Sequence, residues 1–265
     1  MSIARVRGIE LAYEVSGVGS PVVLLHGFPF NRTLWREQVE SLGERYRVIT
    51  PDLRGHGETG ATPDPATMEE MAGDVAALLD DLRITRVVLG GLSMGGYVAL
   101  AFHRLFPERV RALVLAHTRP QADTDEARLA REETAARALA DGMHTIADAM
   151  LPKLLAPSTQ DERPEVVARV REMILNTDAR GAASALRGMA VRADQTEFLR
   201  EINCPTLIVV GSLDRITPVA DAELMHRLIR GAQLEVIAGA GHVSNIERPA
   251  EFNRALENFL RELEA

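Results

Sequence analysis

Arg86-Val87-Val88-Leu89-Gly90-Gly91-Leu92-Ser93-Met94-Gly95-Gly96-Tyr97-Val98-Ala99-Leu100-Ala101-Phe102 is the stretch that decides the fold. Its first part, residues 86–90, is a short β-branched run of the kind that makes a buried strand. From Gly96 to Phe106 the chain carries an apolar face at helical spacing. Between the two a serine stands among small residues, so strand must pass to helix in one sharp turn. Such a turn lifts Ser93 Oγ clear of a sheet edge, beside the unpaired N–H groups and partial positive charge of a helix start. A bare G-x-S-x-G is common by chance, and it gains weight here from the strand before it and the helix after it.

Outward from that turn the same rhythm repeats. Compact apolar runs at 22–25, 48–50, 87–89, 110–115, 206–210 and 234–237 suit strands covered on both faces, as in a mostly parallel sheet. Residues 9–15 alternate and predict a strand paired at an edge. Residues 67–82 predict a helix that opens with a capping box, Thr67 to Glu70, and carries Met68, Met71, Val75, Leu78, Leu79 and Leu82 at helical spacing. Further helices are predicted at 220–229 and 249–263. Alternating strand and helix gives a doubly wound α/β fold, whose ligands sit at the carboxyl ends of the strands.

The rhythm breaks between 119 and 194, where strands vanish and an Ala-, Arg- and Glu-rich sequence predicts helices at 125–141, 144–155, 164–175 and 179–189, punctuated by Pro152, Pro157 and Pro164. No Gly/Ser linker or repeat sets this segment apart. The expected organisation is therefore an α/β core of residues 1–118 and 195–265, with 119–194 inserted as a helical cap.

Composition narrows the function classes. The 265 residues are 46% hydrophobic and 26% charged, the balance of an ordinary globular chain with one core and an insertion. A formal net charge of −8 with no basic stripe interleaved with aromatics argues against nucleic acid as partner. No apolar run reaches membrane-spanning length, and the opening MSIARVRGIELAYEV has no apolar segment before a cleavage site. The single cysteine, Cys204, excludes an internal disulfide and fits a reducing, cytoplasmic setting. No His, Asp or Glu grouping has metal-ligand spacing, no cofactor is implied, and a homo-oligomer is compatible with the sequence.

A serine hydroxyl is a poor nucleophile until a base takes its proton, and the base needs a third group to orient it. Asp214 follows the strand at 206–210 across Gly211-Ser212-Leu213, and His242 follows the strand at 234–237 in Gly239-Ala240-Gly241-His242. Both are strand-end positions on the edge that carries Ser93, in the chain order Ser, Asp, His expected of this architecture. Asp221, Asp123 and Asp125 compete for the acid's role, but the first falls inside a predicted helix and the others open one. An oxyanion needs two N–H donors; Met94, after the serine, offers one, and Phe28 in His26-Gly27-Phe28-Pro29 the other, since Pro29 has none. His117, Arg119, Met143 and Met189 are candidate pocket residues, with Met150, Leu154 and Met173 at further apolar cap positions. Arg119 suits a substrate carboxylate, against the alternative of a solvated hinge arginine. His26 and His56, in Gly-flanked loops, read as ties between backbone groups.

His26-Gly27-Phe28-Pro29, Asp52-Leu53-Arg54-Gly55-His56-Gly57, Gly91-Leu92-Ser93-Met94-Gly95-Gly96, Gly211–Asp214 and Gly241-His242 together resemble the α/β-hydrolase superfamily. Within it the chain is similar to the small capped carboxylesterases and the 3-oxoadipate enol-lactonase group. The resemblance implies Ser93 as nucleophile, Asp214 as acid, His242 as base, Phe28 and Met94 as oxyanion donors, no cofactor, and a small ester or lactone as substrate. A perhydrolase or cofactor-free haloperoxidase would use the same three groups with peroxide in place of water. Carbon–carbon bond hydrolysis would demand an acidic ketone, and dehalogenases and epoxide hydrolases place an aspartate where Ser93 stands. A non-catalytic ligand-binding protein is the remaining class.

Overall fold

The computed structural model describes residues 1–61 and 65–264. Its strands are β1 (Ser2–Val6), β2 (Ile9–Ser16), β3 (Ser20–Leu25), β4 (Tyr46–Pro51), β5 (Val87–Leu92), β6 (Val110–Ala116), β7 (Thr206–Gly211) and β8 (Gln233–Ile237). They form one sheet in the order β1-β2-β4-β3-β5-β6-β7-β8. From β4 to β8 all neighbours run parallel, while β2 lies antiparallel to both β1 and β4. The strand expected at an edge is thus second from it. The edge belongs to β1, which folds back on β2 through Arg7 and Gly8, both at positive φ (47° and 81°). Five residues with three exposed leave too little pattern for β1 to stand out in the sequence.

Every residue of β5 and β7 is buried, which is why both read as unbroken apolar runs. Helices α1 (Arg36–Leu42), α2 (Met68–Asp81), α3 (Met94–Leu105), α9 (Val219–Leu228) and α11 (Pro249–Glu262) cover the sheet. The expected capping box starts α2: Thr67 Oγ1 accepts from the Glu70 N–H, and Glu70 Oε2 accepts from the Thr67 N–H, each at 3.1 Å. Ten of the twelve residues of α3 are buried as it packs on α2 and on β3, β5 and β6, which fixes where its N-terminus points. Trp35, Phe30, Phe102 and Phe252 are the bulkiest side chains with no exposed surface, and the Trp35 and Phe252 rings lie 6.0 Å apart. Cutting any one of them back to alanine would cost about 3–5 kcal/mol.

Between β6 and β7 the chain forms α4 (Asp125–Asp141), α5 (Met143–Leu154), α6 (Pro157–Glu162), α7 (Pro164–Leu175) and α8 (Ala179–Ala190). Here α4 packs on α8 and α5, and α7 packs on α5 and α6. After β8 a single short turn, α10 (Ser244–Glu247), precedes α11. Among the described residues no helix is long and apolar enough to cross a membrane.

Candidate active site

Ser93 is the hinge between β5 and α3, and its backbone (φ 55°, ψ −113°) lies where non-glycine residues rarely sit. Four hydrogen bonds hold it there. Its N–H donates to the Ala116 carbonyl at the end of β6 (2.9 Å), and its own carbonyl accepts from Gly96 N–H (2.9 Å), Tyr97 N–H (3.2 Å) and Thr118 Oγ1–H (2.9 Å). Close packing explains the flanking glycines. A Cβ at Gly95 would lie 2.3 Å from the Leu25 carbonyl oxygen, so a side chain there would push α3 off β3. A Cβ at Gly27 would lie 3.3 Å from the Ser93 Cβ, which places the loop after β3 directly against the serine. Phe28 follows in that loop, and Met94 is the first residue of α3, where no helical carbonyl is available to its N–H.

The two histidines of the flanking loops are fixed in place by backbone. His26 donates Nδ1–H to the Gly27 carbonyl (2.9 Å) and accepts the Leu53 N–H at Nε2 (2.9 Å), which requires a neutral ring. Burial pulls its pKa down to about 4. His56 lies 5.1 Å from it, ring to ring, and burial together with His26 pulls it down to about 3.

Asp214 and His242 meet at the ends of β7 and β8. His242 Nδ1 lies 3.0 and 2.8 Å from the two carboxylate oxygens of Asp214. The same carboxylate accepts the N–H groups of Ile216 (2.8 Å) and Thr217 (3.0 Å), the Thr217 hydroxyl (2.9 Å) and His117 Nδ1–H (2.8 Å). Burial pushes Asp214 up, but the His242 imidazole and the His117 hydrogen bond outweigh it and hold the group far below the usual carboxylate range. The competing aspartates are engaged elsewhere. Asp123 is bound by Arg131 and by Arg192 (2.7 Å), Asp221 faces Arg119 and Gln121, and Asp125 sits exposed with Arg128.

A carboxylate that the sequence did not single out ties this loop to the helical insertion. Glu247, with no exposed surface, accepts the Gly241 N–H and the Ala156 N–H, both at 2.7 Å, while the His242 N–H donates to the Leu154 carbonyl at 2.7 Å. A glutamate near a helix start reads in sequence as a solvated face, so nothing flagged it.

Ser93, His242 and Phe28 share a small cavity of about 80 Å³. Arg131 on α4, Met150 on α5 and Met189 on α8 line it from the helical segment, and Tyr97, Arg119 and Ile216 complete the wall. Tyr97 is one helical turn beyond Ser93 and so shares its face, a signal the spacing contained. Of the four pocket residues expected from sequence, Arg119 and Met189 line this cavity and two do not. His117, at φ 49°, turns onto Asp214 instead. Met143 is packed at the start of α5, while Met150, two turns on, reaches the cavity beside the end of α5 that contacts His242. The sequence showed no metal-ligand spacing, yet the fold gathers His117, Asp214 and His242 with their ligand atoms within 4.8 Å of one another. Both imidazoles address the shared carboxylate through Nδ1 at hydrogen-bond distance.

Residues 20–249 match the family model described as alpha/beta hydrolase fold. Among solved structures, a thermophilic esterase from Thermogutta terrifontis with malate bound superposes with a TM-score of 0.98 at 43% identity, covering 100% of both chains. The enol-lactonase from Burkholderia xenovorans superposes with a TM-score of 0.92 at 32% identity, covering 98% of this chain and 100% of that one. The 3-oxoadipate enol-lactonase 2 of Acinetobacter baylyi is 33% identical over 238 residues, 87% of this chain and 85% of the relative. A family model spanning most of the chain, on a sheet that carries its serine, aspartate and histidine after β5, β7 and β8, makes this chain a member of the α/β-hydrolase fold family.

Proposed function

We propose that the protein is a serine hydrolase that cleaves small carboxylic esters through an acyl-enzyme. One observation carries this reading: Ser93, strained at a helix N-terminus, shares a small cavity with His242, whose Nδ1 is held by the ionised Asp214. Ser93 Oγ attacks the ester carbonyl while His242 Nε2 accepts its proton. The Met94 and Phe28 N–H groups stabilise the developing oxyanion, each such donor contributing about 10²–10³ in turnover. The alcohol leaves with the proton from His242, and a water activated by the same imidazole frees the acid and restores Ser93. Asp214 fixes the tautomer and stabilises the imidazolium. Residues 119–194 serve as a cap over the site, a role supported by the side chains of α4, α5 and α8 that share the cavity with Ser93. The lone Cys204 supports a cytoplasmic setting.

A second reading has its own support. A lactone is an ester closed into a ring, so the same steps open it. Arg119 and Arg131 stand in the cavity with Ser93, which suits an acyl chain ending in a carboxylate, and two of the similar proteins are named enol-lactonases.

Labelling with a fluorophosphonate, followed by peptide mapping, tests the nucleophile. One stoichiometric adduct on Ser93 is expected, and Ser93→Ala should lose both the label and about 10⁴-fold or more of p-nitrophenyl ester turnover with its melting temperature nearly unchanged. Label on another residue, or turnover persisting in Ser93→Ala, overturns the assignment.

A further inference from the structure

Three side-chain donors converge on one oxygen. Asp214 Oδ2 accepts from His242 Nδ1 (2.8 Å), His117 Nδ1 (2.8 Å) and Thr217 Oγ1 (2.9 Å). An ionised carboxylate only accepts, so both imidazoles carry their proton on Nδ1. The other nitrogen of His117 lies 2.6 Å from Ser244 Oγ, and both groups are buried. A neutral His117 protonated on Nδ1 must accept at Nε2, so the Ser244 hydroxyl is the donor and fixes the tautomer.

The backbone aims the ring. His117 is one residue beyond β6 with φ 49°, a conformation that non-glycine residues keep only when the surroundings enforce it. Its N–H donates to the Val209 carbonyl of β7 (2.8 Å), and the preceding residue, Ala116, supplies the carbonyl that anchors Ser93 N–H. One turn at the end of β6 therefore holds the serine on one side and turns an imidazole onto the acid on the other. The His117 and His242 rings stand edge to face, 5.4 Å apart, on either side of the same carboxylate.

We propose that His117 is a positioning residue of this site: a neutral second imidazole, its tautomer set by Ser244, that locks the Asp214 carboxylate against His242 and draws charge from it. This rests on the assignment of Asp214 and His242 as acid and base. A donor on the far side of the carboxylate leaves less charge to stabilise the imidazolium of His242, and removing that donor returns the charge to the His242 side. Burial keeps His117 neutral, opposing the pull of Asp214. The other charged groups facing the trio are Glu247 of α10, close to His117, and Asp221 of α9, close to Asp214 and set against Arg119.

Two isosteres separate the bonds. In His117→Asn the amide nitrogen falls near the position of Nδ1, and asparagine tolerates the positive φ. In His117→Gln the amide reaches the position of Nε2 and abandons Asp214. His117→Asn is expected to keep kcat within about threefold of the parent, whereas His117→Gln loses about tenfold to a hundredfold in kcat with KM nearly unchanged. The acidic limb of kcat/KM should move to higher pH in His117→Gln and stay in place in His117→Asn. Equal losses in the two variants with no movement of the limb would show a structural role only and overturn the proposal. Should His117→Gln fail to fold, the ¹⁵N spectrum of histidine-labelled parent decides: His117 protonated on Nδ1 supports the proposal, and protonation on Nε2 overturns it. A parent that takes no fluorophosphonate on Ser93 would instead sink the underlying assignment, whatever the two variants do.

Discussion

Arg119, which bonds Tyr97, keeps one guanidinium donor unmet at the site. Its Nε is buried without a hydrogen-bond partner, and the carboxylate of Asp221 stands 3.9 Å away, beyond a hydrogen bond. By contrast Arg131, on the same cavity, is held by Asp123. Leaving a buried donor unmade costs about 1–3 kcal/mol, and a charged hydrogen bond returns about 1.5–3 kcal/mol. A substrate carboxylate can therefore recover through Arg119 what the burial of its Nε forgoes. Arg119→Gln should lower kcat/KM about tenfold to a hundredfold for an ester whose acyl chain ends in a carboxylate, and hardly change it for the neutral ester of equal length. Equal losses on the two esters would assign Arg119 to packing alone. At this scale the sequence was legible where a candidate residue coincided with a strand end: Ser93 and Asp214 follow the fully buried β5 and β7, and His242 follows β8, of which only Ile237 is buried, each across a glycine-bearing turn. Their supporting residues were not. The orientation of His117 depends on one left-handed φ, and the bonds of Glu247 reach a segment some ninety residues away, neither of which has a local pattern.

Among the elements, α8 shows why a correct helix boundary says little about packing. Residues 179–189 read as an Ala-rich helix, and the helix spans Ala179–Ala190. What the composition hides is the stripe Gly181, Ser184, Gly188 along one face. A Cβ at Gly181 would lie 1.8 Å from the Gly55 carbonyl oxygen, one at Gly188 would lie 1.7 Å from that of Ala66, and Ser184 accepts the Ala66 N–H through its hydroxyl (3.0 Å). The stripe thus lets the helix lie directly on the backbone of the loop that follows β4. Glycine in a helix interior costs about 1 kcal/mol relative to alanine, so propensity alone would make Gly188→Ala stabilising. Forcing a methyl into backbone costs about 1–3 kcal/mol, and backbone yields less readily than a side chain. The clash should win, lowering the melting temperature of Gly188→Ala by about 2–6 °C, and because α8 carries Met189, ester turnover should fall with it. A higher melting temperature in a thermal scan would show that the helix lifts off at no cost. Elements such as α2, with a periodic apolar face, and β5, with an unbroken run, were legible because their pattern is local; contacts between small residues are visible only in three dimensions.

For the whole molecule, buried neutral histidines link stability to pH. Burial lowers His26 to about 4 and His56 to about 3, and depresses His103 and His117 as well. An unfolded histidine titrates near 6.5, so below that pH the unfolded chain takes up protons that the native chain refuses. Their contribution is therefore complete above about pH 6.5 and lost as pH falls, until the native rings themselves protonate. With His26 and His56 alone the slope approaches about 2.7 kcal/mol per pH unit. Asp214 has the opposite chemistry and the same sign: its depressed pKa stabilises the fold above the unfolded carboxylate value near 3.9, and that contribution is lost only below it. Asp52 and Asp74, raised by burial, oppose the loss by binding protons first in the native state. The window just below pH 6.5, where unfolded imidazoles titrate and the native His26 and His56 do not, belongs to the histidines. The melting temperature should hold level from pH 8 to 7 and then fall by about 10 °C by pH 5. His56→Gln removes one titrating group from the unfolded chain without touching Ser93, and its fall across that window should be visibly shallower. A melting temperature that stays level to pH 5 in both proteins would mean that the buried imidazoles take up protons in the native state, opening the loops that Leu53 and Gly27 hold closed around His26.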